Sequence, residues 1–339
     1  MDIYEVFIHF RTPYIKCEKC KECTIFRAPW EHIDGSHFTI RFEKEVLQSA
    51  AEGTAFKHIG RRFNIDGHTV NRIVNRVVDR IMSSQNLSDV TSVAVDETKL
   101  GSDMYTIFTN IDTKIPFAMI KGMDSSTFKK MIDKTAAQGF DPLKIKHVTM
   151  DMSGAFKKGA RLYFPNAKRT VDKFHVVKDF NKHMDTFVRA EQVRLSGAKG
   201  ALWAFRFNSI NADDDRKNSV REICEEYESL AVAYELKKCF ENIYANAVNR
   251  KAARFQFNAL IKLIKKTDIE PLKVFARTLK RHFDGILNYF NTRLTNAIAE
   301  SINTTVKRIK RVACGMRDMR SFIHRIYLST ASKRGIIFQ

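Results

Sequence analysis

The stretch SVAVDETKLGSDMYTIFTNIDTKIPFAMIKG (92–122) decides the fold class. SVAVDE (92–97) reads as a short apolar strand ending in carboxylates. MYTIFTNID (104–112) and IPFAMIKG (115–122) read as two further strands, joined as a hairpin by their short connection. Downstream, DSSTFKKMIDKTAAQGF (124–140) has the spacing of an amphipathic helix, with Asp124 or Ser125 as its N-cap. IKHVTMD (145–151) is another buried strand and again closes on an aspartate. Residues 153–163 read as a helix and AKRTVD (167–172) as a last strand. Three strands, then helix, strand, helix and strand, predict an α/β sheet.

Upstream, residues 42–82 switch to helical periodicity. Phe56, Ile59 and Phe63 form one face, and Val70, Ile73, Val74, Val77 and Val78 another. Asn64-Ile65-Asp66-Gly67 between them is a turn signal, and QNLSDVTS (85–92) reads as a polar linker. Residues 1–40 read as short strands and turns around a cysteine cluster. From 173 to about 328 the pattern is almost wholly helical, with Asp213-Asp214-Asp215 as a loop and Pro271 as a helix start. The predicted fold class is therefore α/β plus all-α.

At 339 residues the chain has room for about two domains and a real core. Charged residues at 28% and 26 Phe exclude disorder and low-complexity classes. No apolar run reaches membrane-spanning length, and the first 30 residues lack the pattern of a signal peptide. Six Cys, three of them at 17, 20 and 23, suggest thiols or a metal and a reducing, cytoplasmic setting. The 58 Lys and Arg against 38 Asp and Glu leave a net charge of +20, which predicts a polyanionic partner, with nucleic acid leading. The charge is uneven. Residues 1–90 balance at 13 basic against 12 acidic, whereas 301–339 hold nine basic residues against Asp318 alone. Residues 153–189 hold nine against three, so the basic surface is expected in the middle and at the C-terminal end.

Asp96 and Asp151 each close an apolar strand, where α/β sheets place their chemistry. Two such carboxylates on neighbouring strands suit hard divalent cations; as helix caps or turn residues they would do nothing of the kind. Glu97 points to the opposite face from Asp96 and is read as structural or as a supporting neighbour of the site, not as a ligand of the same metal. Glu300 sits off the apolar stripe of Ile298, Ile302, Val306 and Ile309, between Asn296 and Asn303, where a solvated surface role is the simplest account. Residues 55–82 read as helix-turn-helix, with His68, Thr69, Asn71, Arg72, Asn75 and Arg76 on the outer face of the second helix. Arg and Asn suit base edges, and Arg also suits phosphates; a plain helical pair packed on the core is the alternative. Trp203 is open between a base-stacking role and core packing. Cys224, Cys239 and Cys314 read as small buried residues.

Four strings then follow one another in order: VAVDET (93–98), VTMDMSGAF (148–156), PNAKRTVDKFHVVKDFNK (165–182) and LKRHFDGILNYFNTRLTNAIAESINTTVKRIKRVACGMRDMRSF (279–322). Together they resemble the DDE transposases of prokaryotic insertion sequences in the ISL-three family, from about residue 8 to 328. The resemblance implies an RNase H-like catalytic core interrupted by a helical insertion, preceded by a helix-turn-helix segment and a partial zinc ribbon. It implies that Asp96, Asp151 and Glu300 form the catalytic triad and hold Mg²⁺, with Mn²⁺ as a substitute. It makes Asp172 and His175, one helical turn apart at a strand-to-helix junction, part of the site region, in a supporting or DNA-contacting role; a helix cap plus a satisfied core His is the alternative. Beside a DNA-cutting site it makes Lys307, Arg308, Lys310 and Arg311 phosphate contacts, where a solvated basic face is the plain alternative. The partners it implies are double-stranded DNA at element ends and target, and a second copy of the chain, since synapsis needs at least a homodimer. The setting is the cytoplasm, at the nucleoid.

The segments expected on this basis are 1–40 (partial zinc ribbon), 41–84 (helix-turn-helix), 90–190 (first part of the core), 191–285 (helical insertion) and 286–332 (final core helices with Glu300). Tyr14 to Cys20 resembles the second half of the family's ribbon, and the first cysteine pair is absent from this chain, which reads as a truncated start or a decayed ribbon. Cys17, Cys20 and Cys23 offer three thiols where structural zinc takes four ligands, with His32 as a possible fourth. Two alternatives to a transposase stay open: a DNA-binding remnant or domesticated relative without catalysis, and an RNase H-like nuclease or resolvase.

Overall fold

The computed structural model describes residues 11, 13–25, 36, 38–195, 198, 200–206, 213–295, 297–313 and 318–333. In chain order the elements begin with the strands β1 (Tyr14–Lys16) and β2 (Cys23–Ile25), followed by the helices α1 (Ile40–Ala51), α2 (Phe56–Arg62) and α3 (Gly67–Ser84). The sheet strands β3 (Ser92–Leu100), β4 (Asp103–Asn110) and β5 (Ile115–Lys121) come next, then α4 (Ser126–Thr135), β6 (His147–Met150), α5 (Gly154–Tyr163) and β7 (Lys168–Val171). The helical tract comprises α6 (Lys173–Arg194), α7 (Ala201–Phe205), α8 (Asp214–Glu226), α9 (Glu228–Asn246), α10 (Arg250–Lys266), α11 (Glu270–Arg281) and α12 (Phe283–Thr292). The last two helices are α13 (Ala297–Ala313) and α14 (Met319–Ser332).

The chain divides into two compact units, one of residues 83–304 and one of residues 1–82 with 305–339. The division falls inside α13. The segment 286–332, expected as one piece of the catalytic core, is therefore shared: its second half groups with the N-terminal residues. Sequence distance hides such a pairing, because the apolar faces that bury one another need not be neighbours in the chain.

In the larger unit the five strands run in the order β5-β4-β3-β6-β7. β3, β4 and β5 pair antiparallel, and β6 and β7 add in parallel on the other side of β3. Alternation is lost along these strands, since almost every residue of β4 and β5 is buried. Phe108, Phe117, Phe128, Phe156 and Phe164 pack the core between the sheet and the helices α4 and α5. Burial of such rings is worth about 2–3 kcal/mol each. A second core fills the helical tract. There Val176, Phe180, Met184 and Val188 recur every four residues along α6 and meet Phe240 and Phe275, with the Phe180 and Phe240 rings stacked 4.1 Å apart.

Several local expectations shift. The first strand runs on to Leu100 instead of stopping at Glu97, because β4 pairs with it through Leu100 and Asp103. The helix expected over 124–140 ends at Thr135 and passes into a short 3₁₀ turn. Of Asp213-Asp214-Asp215, expected as a loop, only Asp213 precedes α8, where its carboxylate accepts from Arg216 N and caps the helix; Asp214 and Asp215 lie in the first turn. Trp203 is half exposed beneath the Arg216 guanidinium, 5.0 Å from its ring, and so is not packed in the core. Cys239 is exposed and Cys224 only half buried; Cys314 lies outside the described residues.

In the smaller unit α1, α2 and α3 form the predicted helix-turn-helix. Asn64 takes a left-handed backbone (φ 52°), and Asp66 caps α3 by accepting from Thr69 N at 2.9 Å. Gly60 is required at the turn, since a Cβ there would lie 2.5 Å from Ile65 O. α14 packs along α1 and is buried from Ser321 to Ala331 apart from Ile323. That burial changes the meaning of the basic C-terminal stretch. Arg325 is fully buried, donates to Thr54 O at 2.8 Å and lies over the Phe56 ring. Arg308 donates to Glu52 O and to Ser329 Oγ, beneath the turn that ends α1. These two cations tie carbonyls left over at a helix end, so the charge there is partly internal. Arg308→Ala is expected to cost about 1.5–3 kcal/mol, read as a lower midpoint in urea unfolding, whereas Lys310→Ala, at an exposed position, leaves the midpoint unchanged.

Candidate active site and nucleic-acid interface

The parallel pairing of β3 with β6 ends at Ala94 and Thr149. Asp96 lies two residues past that point and Asp151 directly follows β6, so both carboxylates emerge where the two strands part. Asp96 is thus mid-strand toward β4 but at a strand end toward β6, which is why the strand-end expectation holds for its surroundings and not for its position. Asp96 is 5% exposed. Its Oδ1 accepts from Glu97 N at 2.8 Å and its Oδ2 from Asn303 Nδ2 at 2.7 Å. Burial pushes its carboxyl up to about 6; the Glu97 N–H and His175 oppose the rise, and the charges of Asp151 and Glu97 add to it. Glu97, half buried, is raised by burial and by Asp151 as well, with His175 again opposing. Three carboxylates and one imidazole therefore share one electrostatic environment. Glu97 thus lies within electrostatic reach of Asp151 and His175.

Asp172 is the buried N-cap residue of α6 at the end of β7, and His175 sits in the first turn of that helix. Behind Asp151 lies His282, between α11 and α12, whose imidazole is held below its ordinary range by burial first and then by Lys157 and Arg281. Its place was not legible in the sequence, where it stands 131 residues from Asp151.

Glu300 is half buried on α13, one helical turn before Asn303. The Asn303 bond to Asp96 is the tie between that helix and the sheet. Asn303 stood in the sequence only as a flank of Glu300; the Asn-x-x-x-Glu-x-x-Asn spacing was the signal that could have marked it. Among the described residues no three His, Cys, Asp or Glu side chains are gathered closely enough to hold an ion. Asp96, Asp151 and Glu300 thus do not form a closed ligand set here. Their chemistry still fits a hard divalent cation, because all three are oxygen donors and the buried Asp96, whose carboxyl is raised by burial and by the charge of Asp151, gains from a positive charge. The thiols of Cys17, Cys20 and Cys23 are exposed around β1 and β2 and form no disulfide, and among the described residues they are not gathered into a ligand group. His32 lies outside the described residues.

Residues 93–326 match the family described as Transposase, and residues 34–78 match the helix-turn-helix domain of transposase family ISL3. The chain belongs to the ISL3 family of transposases. It is 25% identical over 339 aligned residues to the transposase for insertion sequence element IS1001 of Bordetella parapertussis, covering 95% of this chain and 81% of that protein. It is 23% identical over 366 aligned residues to the transposase for insertion sequence element IS1557 of Mycobacterium tuberculosis, covering 97% of this chain and 80% of the other.

In this ISL3-family transposase the helix α3 presents fewer free side chains than its sequence implied. His68 and Arg72 are exposed, and Arg72 Nη2 donates to Thr69 Oγ1 at 3.0 Å. Thr69 itself is buried and bonded to the capping Asp66. Asn75 Nδ2 donates to Ser321 Oγ at 2.9 Å, Ser321 Oγ donates to Asn71 Oδ1 at 2.6 Å, and His324 Nδ1 lies 2.8 Å from Asn75 Oδ1. Arg76 pairs with the buried Glu43 of α1. The outer face predicted from helical spacing is thus partly an inner face, covered by α14, which no periodicity in α3 could announce. On α13, Lys307, Lys310 and Arg311 are exposed and Arg308 is not. Among the described residues no helix is long and apolar enough to cross a membrane.

Proposed function

We propose that the chain is a metal-dependent DNA transposase that cleaves the ends of an insertion sequence and joins the freed 3′-hydroxyl to target DNA. The observation that carries this is the meeting of Asp96 and Asp151 where β3 and β6 part, with Asn303 bonding Asp96 from the helix that bears Glu300. The strand order β5-β4-β3-β6-β7, with an antiparallel trio and two parallel additions, suits an RNase H-like core, and α7 to α11 suit its helical insertion.

In this reading Asp96, Asp151 and Glu300 hold Mg²⁺ or Mn²⁺. A pair of such ions, when bound, stabilises both the attacking and the leaving oxygen of an in-line displacement. Asn303 and the Glu97 N–H fix the rotation of the Asp96 carboxylate, so that its lone pairs face the centre before substrate arrives. His175 balances part of the negative charge of Asp96 and Glu97. Glu300, one turn from Asn303, would supply the third carboxylate of that ligand set. Of the α3 residues expected on the outer face, the exposed His68 and Arg72 suit contact with DNA, and Lys307, Lys310 and Arg311 suit its phosphates. Synapsis of two ends calls for at least two copies of the chain.

The purified chain with Mn²⁺ and DNA carrying its own element's ends is expected to nick at those ends. Glu300→Ala is expected to lose nicking by roughly 10²–10³-fold while binding the same DNA. One observation favours a second reading, a DNA-binding chain without catalysis: no three ligand side chains are gathered among the described residues. Binding without nicking by either protein would decide for that reading. Nicking without strand transfer would decide for a nuclease.

A further inference from the structure

We propose that the cleft beside Asp151 is an anion subsite that grips a backbone phosphate of the DNA strand next to the scissile one. This rests on the transposase reading above. The cleft has a volume of about 430 Å³, and Asp151 stands in its wall. Lys157 of α5, Lys168 and Arg169 of β7, and Lys280 and Arg281 at the end of α11 line the rest. Three separate elements thus bring five cations to one hollow. Lys157 Nζ donates to Arg281 O at 3.3 Å and bridges two of its walls. None of the five forms an ion pair among the described residues. The cleft's other carboxylate, Asp284, is engaged by Arg250 and Arg254.

Five cations against two carboxylates, one of them engaged from outside the cleft, leave an excess of positive charge that repels itself and is relieved when an anion enters. Arg offers a planar fork and Lys a compact charge, a mixture that suits phosphate oxygens. The cleft is unsuited to a cation, while the adjoining Asp96–Asp151 centre is suited to one. A phosphodiester strand lying across both would set its scissile phosphate at the carboxylates and a neighbouring phosphate over the β6–β7 edge. The cationic hollow would then fix the register of the strand at the catalytic centre. Inorganic phosphate shares the recognising chemistry, and the experiment separates the two.

Binding of the full chain to duplex DNA carrying its element's end is measured by fluorescence anisotropy, without divalent metal and across a series of salt concentrations. Lys280→Ala/Arg281→Ala removes two exposed side chains and is expected to melt like the wild type. It is expected to reduce the slope of log K against log salt by about 1 for each phosphate that is no longer neutralised. Arg281→Lys, which keeps the charge, restores most of the slope. A single methylphosphonate, neutral where a phosphate was charged, is placed in turn at each position flanking the cleavage site. At one position it weakens wild-type binding but does not weaken the double variant further. Lys168→Ala repeats the measurement from another wall.

Variants with wild-type slope, or methylphosphonate effects that add to the variants at every position, overturn the subsite. So does thermal stabilisation by inorganic phosphate that the double variant loses while its DNA binding is unchanged, which marks a free-anion site. A wild-type chain that nicks element ends alongside such a result keeps the transposase reading and loses only the subsite. A wild-type chain that neither binds nor nicks them loses both.

Discussion

Asp96→Asn is expected to abolish DNA cleavage and, at pH 8, to raise the melting temperature. The carboxyl of Asp96 is pushed up to about 6 in the folded chain, from 3.8, chiefly by burial. The folded chain therefore holds that proton more tightly than the unfolded chain does. Stability contributed by this group is greatest below about pH 4, declines as pH rises toward 6, and above that the cost of the buried charge is fully present. The difference corresponds to on the order of 2–3 kcal/mol. Asn is close to Asp in shape and carries no charge to bury; its single oxygen keeps one of the two bonds that Asp96 accepts, from Asn303 or from Glu97 N, and loss of the other offsets part of the gain. The gain in melting temperature, several degrees for a unit of this size, is expected to shrink to nothing as the pH is lowered to about 4. Thermal melts of both proteins across pH 4–8, with a cleavage assay at the upper end, check both halves. A variant that melts lower than the wild type at pH 8 would overturn the burial account of Asp96. Divalent metal is expected to stabilise the wild type and to do so far less in the variant, because a bound cation relieves the repulsion of Asp96 with Asp151 and Glu97. Such a gain of stability with loss of activity is what a site tuned for chemistry produces.

Gly159→Ala carries the largest expected loss of stability. Gly159 lies on α5 facing the sheet core, and a Cβ there would meet the Phe128 ring at 2.3 Å. Phe128 cannot swing away: it is fully buried and makes edge contacts with Phe108, Phe156 and Phe164 at centroid distances of 5.1–6.3 Å. In a helix Ala is otherwise the better residue by nearly 1 kcal/mol, so the substitution sets propensity against packing. Overpacking of about 1–3 kcal/mol or more is expected to win, read as a lower urea midpoint. Phe128→Leu in the same chain is expected to recover part of the loss, although Phe128→Leu alone is destabilising. Additive losses would mean that the two residues do not compete for one space. α5 follows Asp151 within three residues, so a shift of this helix is also expected to lower cleavage.

The sheet was legible from residues 92–172 because its strands are short, apolar and punctuated, and because β4 and β5 are joined by a tight turn. The helix-turn-helix was legible for the same local reason, with Asn64 and Asp66 marking the turn and the cap. The ends of elements were less so. Glu97 to Leu100 continue β3 only because β4 pairs with them, and that is a property of the partner. Asp96 and Asp151 were legible as candidates from their place after apolar runs. Glu300 was legible only through resemblance, since nothing local distinguishes it from a surface glutamate.

Tertiary structure alone decided which charges face outward. Arg72 and Arg76 lie one turn apart on α3, yet Arg72 is exposed and Arg76 is paired with Glu43. Arg308 lies among Lys307, Lys310 and Arg311 in one basic run, yet it serves carbonyls at the end of α1. The cleft beside Asp151 is built from α5, β7 and α11, more than 100 residues apart at the extremes. Periodicity and capping are set by near neighbours and can be read along the chain. The partner that a buried Asn, Arg or Asp finds is set by which distant face covers it, and hydrogen bonds and desolvation act on that final arrangement alone.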